Sequence, residues 1–292
     1  MKILVTGANG QLGKEIQLRS KQYDHQFVFT DVDTLDITDL PLLTDYCLAE
    51  QFRFIINCAG YTAVDKAEEE QDKAFLINKE GTFNLVEAAA TLNIPIIHIS
   101  TDYVFDGKNY KPYSEEDPVY PISVYGKSKA EGERFVFEYA KGIIIRTSWL
   151  YSQWGNNFVK TMLRLSEQKE EIGVVYDQIG SPTWAGSLAQ AILDIVDNTA
   201  QRKKKLVPGI YHYTDEGVAS WYDFAKAIFE IANKSIKVNA IETSEYPTAA
   251  ARPFYSVLNK KKIKQVYGVQ IPYWRDSLKK VIEELRASEV GK

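Results

Sequence analysis

The feature that most constrains this chain is its start. A short apolar stretch, Lys2 to Thr6, runs directly into Gly7-Ala8-Asn9-Gly10-Gln11-Leu12-Gly13 and then into an amphipathic helix with Ile16 and Leu18. Glycines at intervals of three between a buried strand and a helix have a physical logic. Gly7 permits the tight turn, Gly10 lets the backbone approach a pyrophosphate, and Gly13 lets the helix pack against the strand. The unpaired N–H groups of the first helical turn, around Gln11 and Leu12, then meet the phosphate at the positive end of the helix dipole. This unit opens the α/β class, a Rossmann-like doubly wound parallel sheet.

Later segments extend the same pattern. A second strand, Gln26 to Thr30, ends at Asp31, about 20 residues past the glycine loop. A carboxylate there accepts hydrogen bonds from a ribose diol and repels a 2′-phosphate, which favours NADH. Lys14 can offset that repulsion, so the expected cofactor is NADPH or NADH. Asp36 and Ile37 are placed to meet the adenine, with a turn carboxylate as the equal alternative for Asp36. A third strand, expected over 54–60, ends in the small residues Ala59 and Gly60, followed by Tyr61. Small residues there suit close passage of a cofactor, because ligands lie beyond the carboxyl ends of such strands. The next helix, with Glu68, Glu69, Glu70 and Asp72, reads as a solvated acidic face. Asn78 either braces the following element or contacts the cofactor.

The chemistry concentrates in two further stretches. A fourth strand, expected over 94–99, leads into Ser100-Thr101-Asp102-Tyr103, where a hydroxyl can hold a substrate carbonyl. Val124-Tyr125-Gly126-Lys127-Ser128-Lys129 opens a segment of helical periodicity running to Tyr139, so Tyr125 and Lys129 project from one face, one turn apart. An ammonium held close to a phenol favours the phenolate, making Tyr125 an acid and base.

After a fifth strand at Ile143 to Ile145 the alternation becomes less regular. Helices are expected over 157–168, 185–196 and 221–232 and after Asp276, with strands near 174–175 and 211–213. The division expected is a nucleotide domain over 1–150 and a smaller, mainly substrate-binding lobe over 151–292, with later segments returning to the first. Net charge is −4 over 292 residues, which argues against nucleic acid as the partner. The basic run from Arg202 to Lys205 reads as a solvated helix end. No leader and no membrane-length apolar run is visible, and two cysteines with three scattered histidines fit a reducing cytoplasm and no zinc site.

Together, Gly7, Gly10 and Gly13 with Tyr125-x-x-x-Lys129 resemble the extended short-chain dehydrogenase/reductase family. Six segments in the same order (STDYVFDG, VYGKSKAEGE, RTSWLY, GNNFVKTMLRL, DQIGSPT and ARPFYSVLN) carry the likeness over nearly the whole chain, within that family, to reductases of dTDP-linked 4-keto-6-deoxy sugars. The resemblance implies reduction of dTDP-4-dehydro-L-rhamnose to dTDP-L-rhamnose, the last step in making this activated sugar for the cell envelope. Tyr125 then donates the proton, Lys129 lowers the phenol pKa and binds the nicotinamide ribose, and Thr101 holds the carbonyl. The resemblance also implies a substrate set of Tyr103, Trp149, Asn156, Asn157 and Arg252. Trp149 lies either against the sugar ring or in the core; Arg252 reaches the diphosphate or forms a surface ion pair.

Related dehydratases follow the threonine with Asp-Glu, whereas here Thr101 is followed by Asp102 and Tyr103, so plain reduction fits better. Some reductases of this group form dimers bridged by magnesium, using a carboxylate where this chain has Glu15. The remaining ligands are not identifiable, so no metal is predicted and a homodimer stays open. Two alternatives to the reductase are a non-catalytic subunit resembling the regulatory subunit of methionine adenosyltransferase and a nucleotide-sugar epimerase.

Overall fold

The computed structural model describes residues 1–201 and 203–290. Its centre is a sheet of six parallel strands: β1 (Lys2–Thr6), β2 (Gln26–Thr30), β3 (Phe54–Asn57), β4 (Ile96–Thr101), β5 (Gly142–Thr147) and β6 (Gly209–His212). Their order across the sheet is β2-β1-β3-β4-β5-β6. The chain leaves β1 in one direction for β2 and returns on its other side for β3, so the order reverses between β1 and β3, where open α/β sheets bind ligands.

Both sheet faces are covered, as an all-parallel sheet requires. On one side lie helix α1 (Gln11–Ser20) and a later helix, Ala185–Ala200, whose Leu188, Ile192 and Val196 pack with Ile3, Val5 and Ile16. On the other side lie α2 (Leu40–Glu50), α3 (Gly81–Thr91) and α4 (Val124–Glu138), contributing Leu43, Leu85 and Val136 against Leu4, Ile55 and Ile96. A third apolar cluster stands apart. It joins Val159, Ile172, Phe224, Trp274 and Leu278 around the helices Phe158–Ser166, Trp221–Ala232 and Trp274–Val290.

Helix starts follow local chemistry. Asp39 caps α2 by accepting from Leu42 N–H at 3.0 Å, and Ser123 caps α4 by accepting from Gly126 N–H at 3.1 Å. Ser220 and Asp223 form a reciprocal capping box at Trp221–Ala232. The strand expected over 54–60 stops at Asn57, beyond which Ala59 N–H donates to the Asn57 side chain at 3.0 Å and not to a neighbouring strand.

The acidic stretch departs from its expectation as one solvated helix. It is two short helices, Val64–Ala67 and Gln71–Phe75, with Glu68 at the break accepting from Val124 N–H at 2.9 Å. A carboxylate there satisfies an otherwise orphaned donor at the N-terminus of α4. Next comes a π-helical turn, Leu76–Glu80. Arg202 lies outside the described residues; Lys203, Lys204 and Lys205 are exposed just beyond a helix end. Among the described residues no helix is long and apolar enough to cross a membrane.

Candidate active site

A cleft of about 1000 Å³ opens at the carboxyl ends of β1 to β5 and runs from the glycine turn to Trp221 at the start of helix Trp221–Ala232. At its nucleotide end each glycine answers a steric need. Gly7 sits at φ +68°, and a side chain there would fall 2.5 Å from Ala59 N. A Cβ on Gly13 would lie 2.3 Å from Gly7 O, so α1 touches the turn backbone to backbone. Gly10 is the N-cap of α1 and no side chain caps it, leaving those N–H groups for a phosphate.

Asp31 lines the cleft at the end of β2. Its Oδ2 accepts from Asn9 N–H at 2.8 Å and its Oδ1 from Val32 N–H at 2.9 Å, leaving lone pairs for a diol. Asp36 lines the wall but its Oδ1 accepts from Thr38 N–H and Oγ1, both at 2.8 Å, which is the turn geometry. Ile37 is buried in the same wall. Gln11, Leu12, Ala59 and Gly60 also line the cleft. Tyr61 and Asn78 stand behind that lining: Asn78 bonds the Tyr61 backbone at both N–H (2.8 Å) and C=O (3.0 Å) and donates to Ser128 Oγ at 2.9 Å. Asn78 thus ties the π-helical turn to α4. The turn geometry, the open helix end and the placed carboxylate fit a dinucleotide.

Between them, β4 and α4 assemble the cluster of Thr101, Tyr125 and Lys129. Thr101 Oγ1 donates to Asp102 Oδ1 at 2.9 Å and accepts from Tyr103 N–H at 3.2 Å. Tyr125 is buried with its ring edge-on to Tyr103, centroids 5.5 Å apart. Burial raises its phenol to about 12, opposed by a hydrogen bond with Thr101 and reinforced by the Asp102 charge. Lys129 is nearly buried, donates to Ile99 O at 2.7 Å and lies 3.2 Å from His98 Nε2. Burial draws the lysine down to about 8, while Glu133 and Cys58 push it up.

This corrects the expectation that Lys129 depresses the phenol. Helical spacing puts both residues on one face, but the lysine donates to Ile99 O on β4, and burial is the largest influence on the phenol. A phenol raised to about 12 holds its proton at neutral pH but is a weaker acid than a free tyrosine, so donation relies on the charge that develops on the acceptor oxygen.

At the far end Trp149 holds φ +48°, a strained conformation for a large side chain, and stacks on Trp221 with centroids 3.6 Å apart and planes 6° from parallel. Both indoles line the cleft, as do Tyr103 and the exposed Asn156. Asn157 instead caps Phe158–Ser166 and donates to Gln11 Oε1 at 3.0 Å, joining that helix start to the first turn of α1. Arg252 donates to Asp65 Oδ2 at 2.6 Å and is absent from the cleft lining among the described residues. Glu15 is fully buried and paired with Arg19. Three contributors escaped the sequence reading. From the sequence Trp221 reads only as a helix start, Glu68 as surface charge, and Asp102, raised by burial to about 6, as a contrast with dehydratases. Its adjacency to Thr101 was the available signal.

A parallel sheet with a glycine-rich first turn and a threonine, tyrosine and lysine gathered beyond its carboxyl edge defines a short-chain dehydrogenase/reductase type of oxidoreductase. The family model described as the RmlD substrate binding domain matches residues 1–287, and the chain belongs to that family. It is 44% identical to a dTDP-4-dehydrorhamnose reductase of Aggregatibacter actinomycetemcomitans over 96% of this chain and 98% of that one. A solved dTDP-4-dehydrorhamnose reductase from Clostridium acetobutylicum superposes with a TM-score of 0.93 at 44% identity, covering 98% of this chain and 100% of that one. One from Bacillus anthracis, solved in complex with NADP, gives 0.90 at 40% identity, covering 97% and 99%.

Proposed function

We propose that this chain reduces dTDP-4-dehydro-L-rhamnose to dTDP-L-rhamnose, with Tyr125 as the proton donor. The observation that carries the reading is the junction of Thr101, Tyr125 and Lys129 in one cleft with the glycine turn at one end and the Trp149–Trp221 stack at the other. Bound in that cleft, NADPH or NADH supplies the hydride. Gly7, Gly10 and Gly13 seat the pyrophosphate, Asp31 takes the adenosine ribose, and Lys129 takes the nicotinamide ribose. Trp149 and Trp221 offer an indole face to the sugar, which favours an apolar 6-deoxy ring. The Tyr125 phenol, lining the same cleft as Thr101, gives its proton to the C4 oxygen as charge develops there.

A non-catalytic subunit has no use for a buried tyrosine, lysine and threonine facing one cavity. An epimerase retains its reduced cofactor through the cycle, which separates it from a reductase by stoichiometry. Free thiols at Cys47 and Cys58 support a cytoplasmic setting for the reaction. The test is a panel of dTDP- and other nucleotide-linked 4-keto sugars with both cofactors. One NADPH or NADH consumed per dTDP-4-keto-6-deoxy sugar, with dTDP-L-rhamnose as product, supports the reading. Turnover of the sugar without net cofactor consumption rules it out.

A further inference from the structure

His98 sits on β4 behind Lys129, fully buried, and no step above uses it. Its environment fixes where its proton resides. Asn57 Oδ1 accepts from two donors, Ala59 N–H at 3.0 Å and Thr6 Oγ1 at 2.8 Å. A backbone N–H can only donate, so the oxygen of the Asn57 amide must face it and the amide nitrogen faces the other way. That nitrogen meets His98 Nδ1 at 2.9 Å, making Nδ1 an acceptor. A neutral imidazole carries one proton, which therefore lies on Nε2. Burial first, and the lysine charge second, hold the ring neutral.

The Nε2–H points at Lys129 Nζ, 3.2 Å away. An ammonium offers only donors and makes no hydrogen bond with an N–H, whereas a free amine has a lone pair to accept one. The same Nζ already donates to Ile99 O at 2.7 Å. Groups that bear on the lysine charge are Glu133 on its own helix, Cys58 beyond β3 and His98 on β4. Of these, only His98 has a hydrogen bond that changes sign with the lysine's protonation state.

We propose that His98 is a positioning residue whose Nε2–H stabilises the free amine of Lys129, so that Lys129 can return to Tyr125 the proton given to the substrate. The proposal rests on the reductase reading, and its protons balance. The Tyr125 O–H bond breaks as its proton passes to the C4 oxygen. One proton lost from the Lys129 ammonium makes good the one the phenol gave up, and the lone pair left on Nζ accepts the His98 Nε2–H. A proton from water then restores the ammonium, so each carbonyl reduced draws one proton from solvent.

The direct test is the tautomer, read by long-range ¹H–¹⁵N correlation on protein labelled in histidine, with His98→Gln assigning the signal among the three histidines. A bare Nδ1 and a protonated Nε2 from pH ~6 to ~9 are expected; an Nδ1–H tautomer or an imidazolium overturns the proposal without touching the reductase reading, which fails separately if wild-type protein consumes no NADPH. The second arm is Asn57→Asp, whose carboxylate accepts from Nδ1–H and turns the Nε2 lone pair toward Lys129. The inverted tautomer and a Lys129 limb in the kcat/KM profile moved up by about one pH unit or more are expected together. A limb that moves while the tautomer stays, or a tautomer that inverts while the limb stays, overturns it.

Discussion

Arg146 on β5 grips Glu133 on α4 with two hydrogen bonds, Nε to Oε1 at 2.9 Å and Nη2 to Oε2 at 2.6 Å, and the pair is 1% and 5% exposed. Glu133 lies one turn beyond Lys129, so this fork locks the helix carrying both Tyr125 and Lys129 to the sheet. It also supplies the largest opposing charge to the burial of Lys129.

Breaking that fork strands a buried guanidinium. Glu133→Ala is expected to cost about 3 to 5 kcal/mol of stability, read by chemical denaturation near neutral pH. A cost below about 1 kcal/mol, the range of exposed pairs, contradicts the account of this contact.

Lys129 is held at a folded pKa of about 8, below its ordinary 10.5. Between those values the unfolded chain binds the extra proton and the folded chain does not, so stability rises with pH there, and below pH 8 the full penalty is present. That penalty is of order 3 kcal/mol at most, reduced by the Ile99 and His98 contacts a substitution loses. Lys129→Met is therefore expected to be inactive yet about 1 kcal/mol more stable than wild type at pH 7, with the advantage gone above pH ~10.5. Equal or lower stability at pH 7 sinks the burial argument.

Asp31 offers its remaining lone pairs to a diol and its charge against a 2′-phosphate. Measurable turnover with NADH is expected, and Asp31→Ala should raise the KM for NADH while lowering that for NADPH. Steady-state kinetics with both cofactors checks this. A wild-type KM for NADH higher than that for NADPH by roughly three decades refutes the role given to this carboxylate.

How much of this was legible in the sequence follows from the range over which each determinant acts. The glycine turn, β2 ending before Asp31, and the helix bearing Tyr125 are set by local sterics and periodicity, and the structure has them where the sequence points. The strand Lys237–Ile241 and the helix Lys261–Tyr267 were missed. The strand's partner, Glu171–Val175, lies some 66 residues away, and the helix gives only one turn of pattern. Tyr125 and Lys129 show the limit most clearly. Their spacing gives a shared face, but where the ammonium points depends on Ile99 and His98, which only the packed sheet brings near. Likewise nothing in the spacing of Trp149 and Trp221 says that the two indoles stack.

The central claim is that the Tyr125 hydroxyl supplies the proton for carbonyl reduction, and one comparison tests it most directly. Wild type and Tyr125→Phe, both shown folded, are given saturating dTDP-4-dehydro-L-rhamnose and NADPH, and the loss of NADPH absorbance is followed. Wild type should turn over stoichiometrically and Tyr125→Phe should be slower in kcat by roughly 10² to 10⁴, about 3 to 5 kcal/mol of barrier. Turnover in Tyr125→Phe within a few-fold of wild type would contradict it.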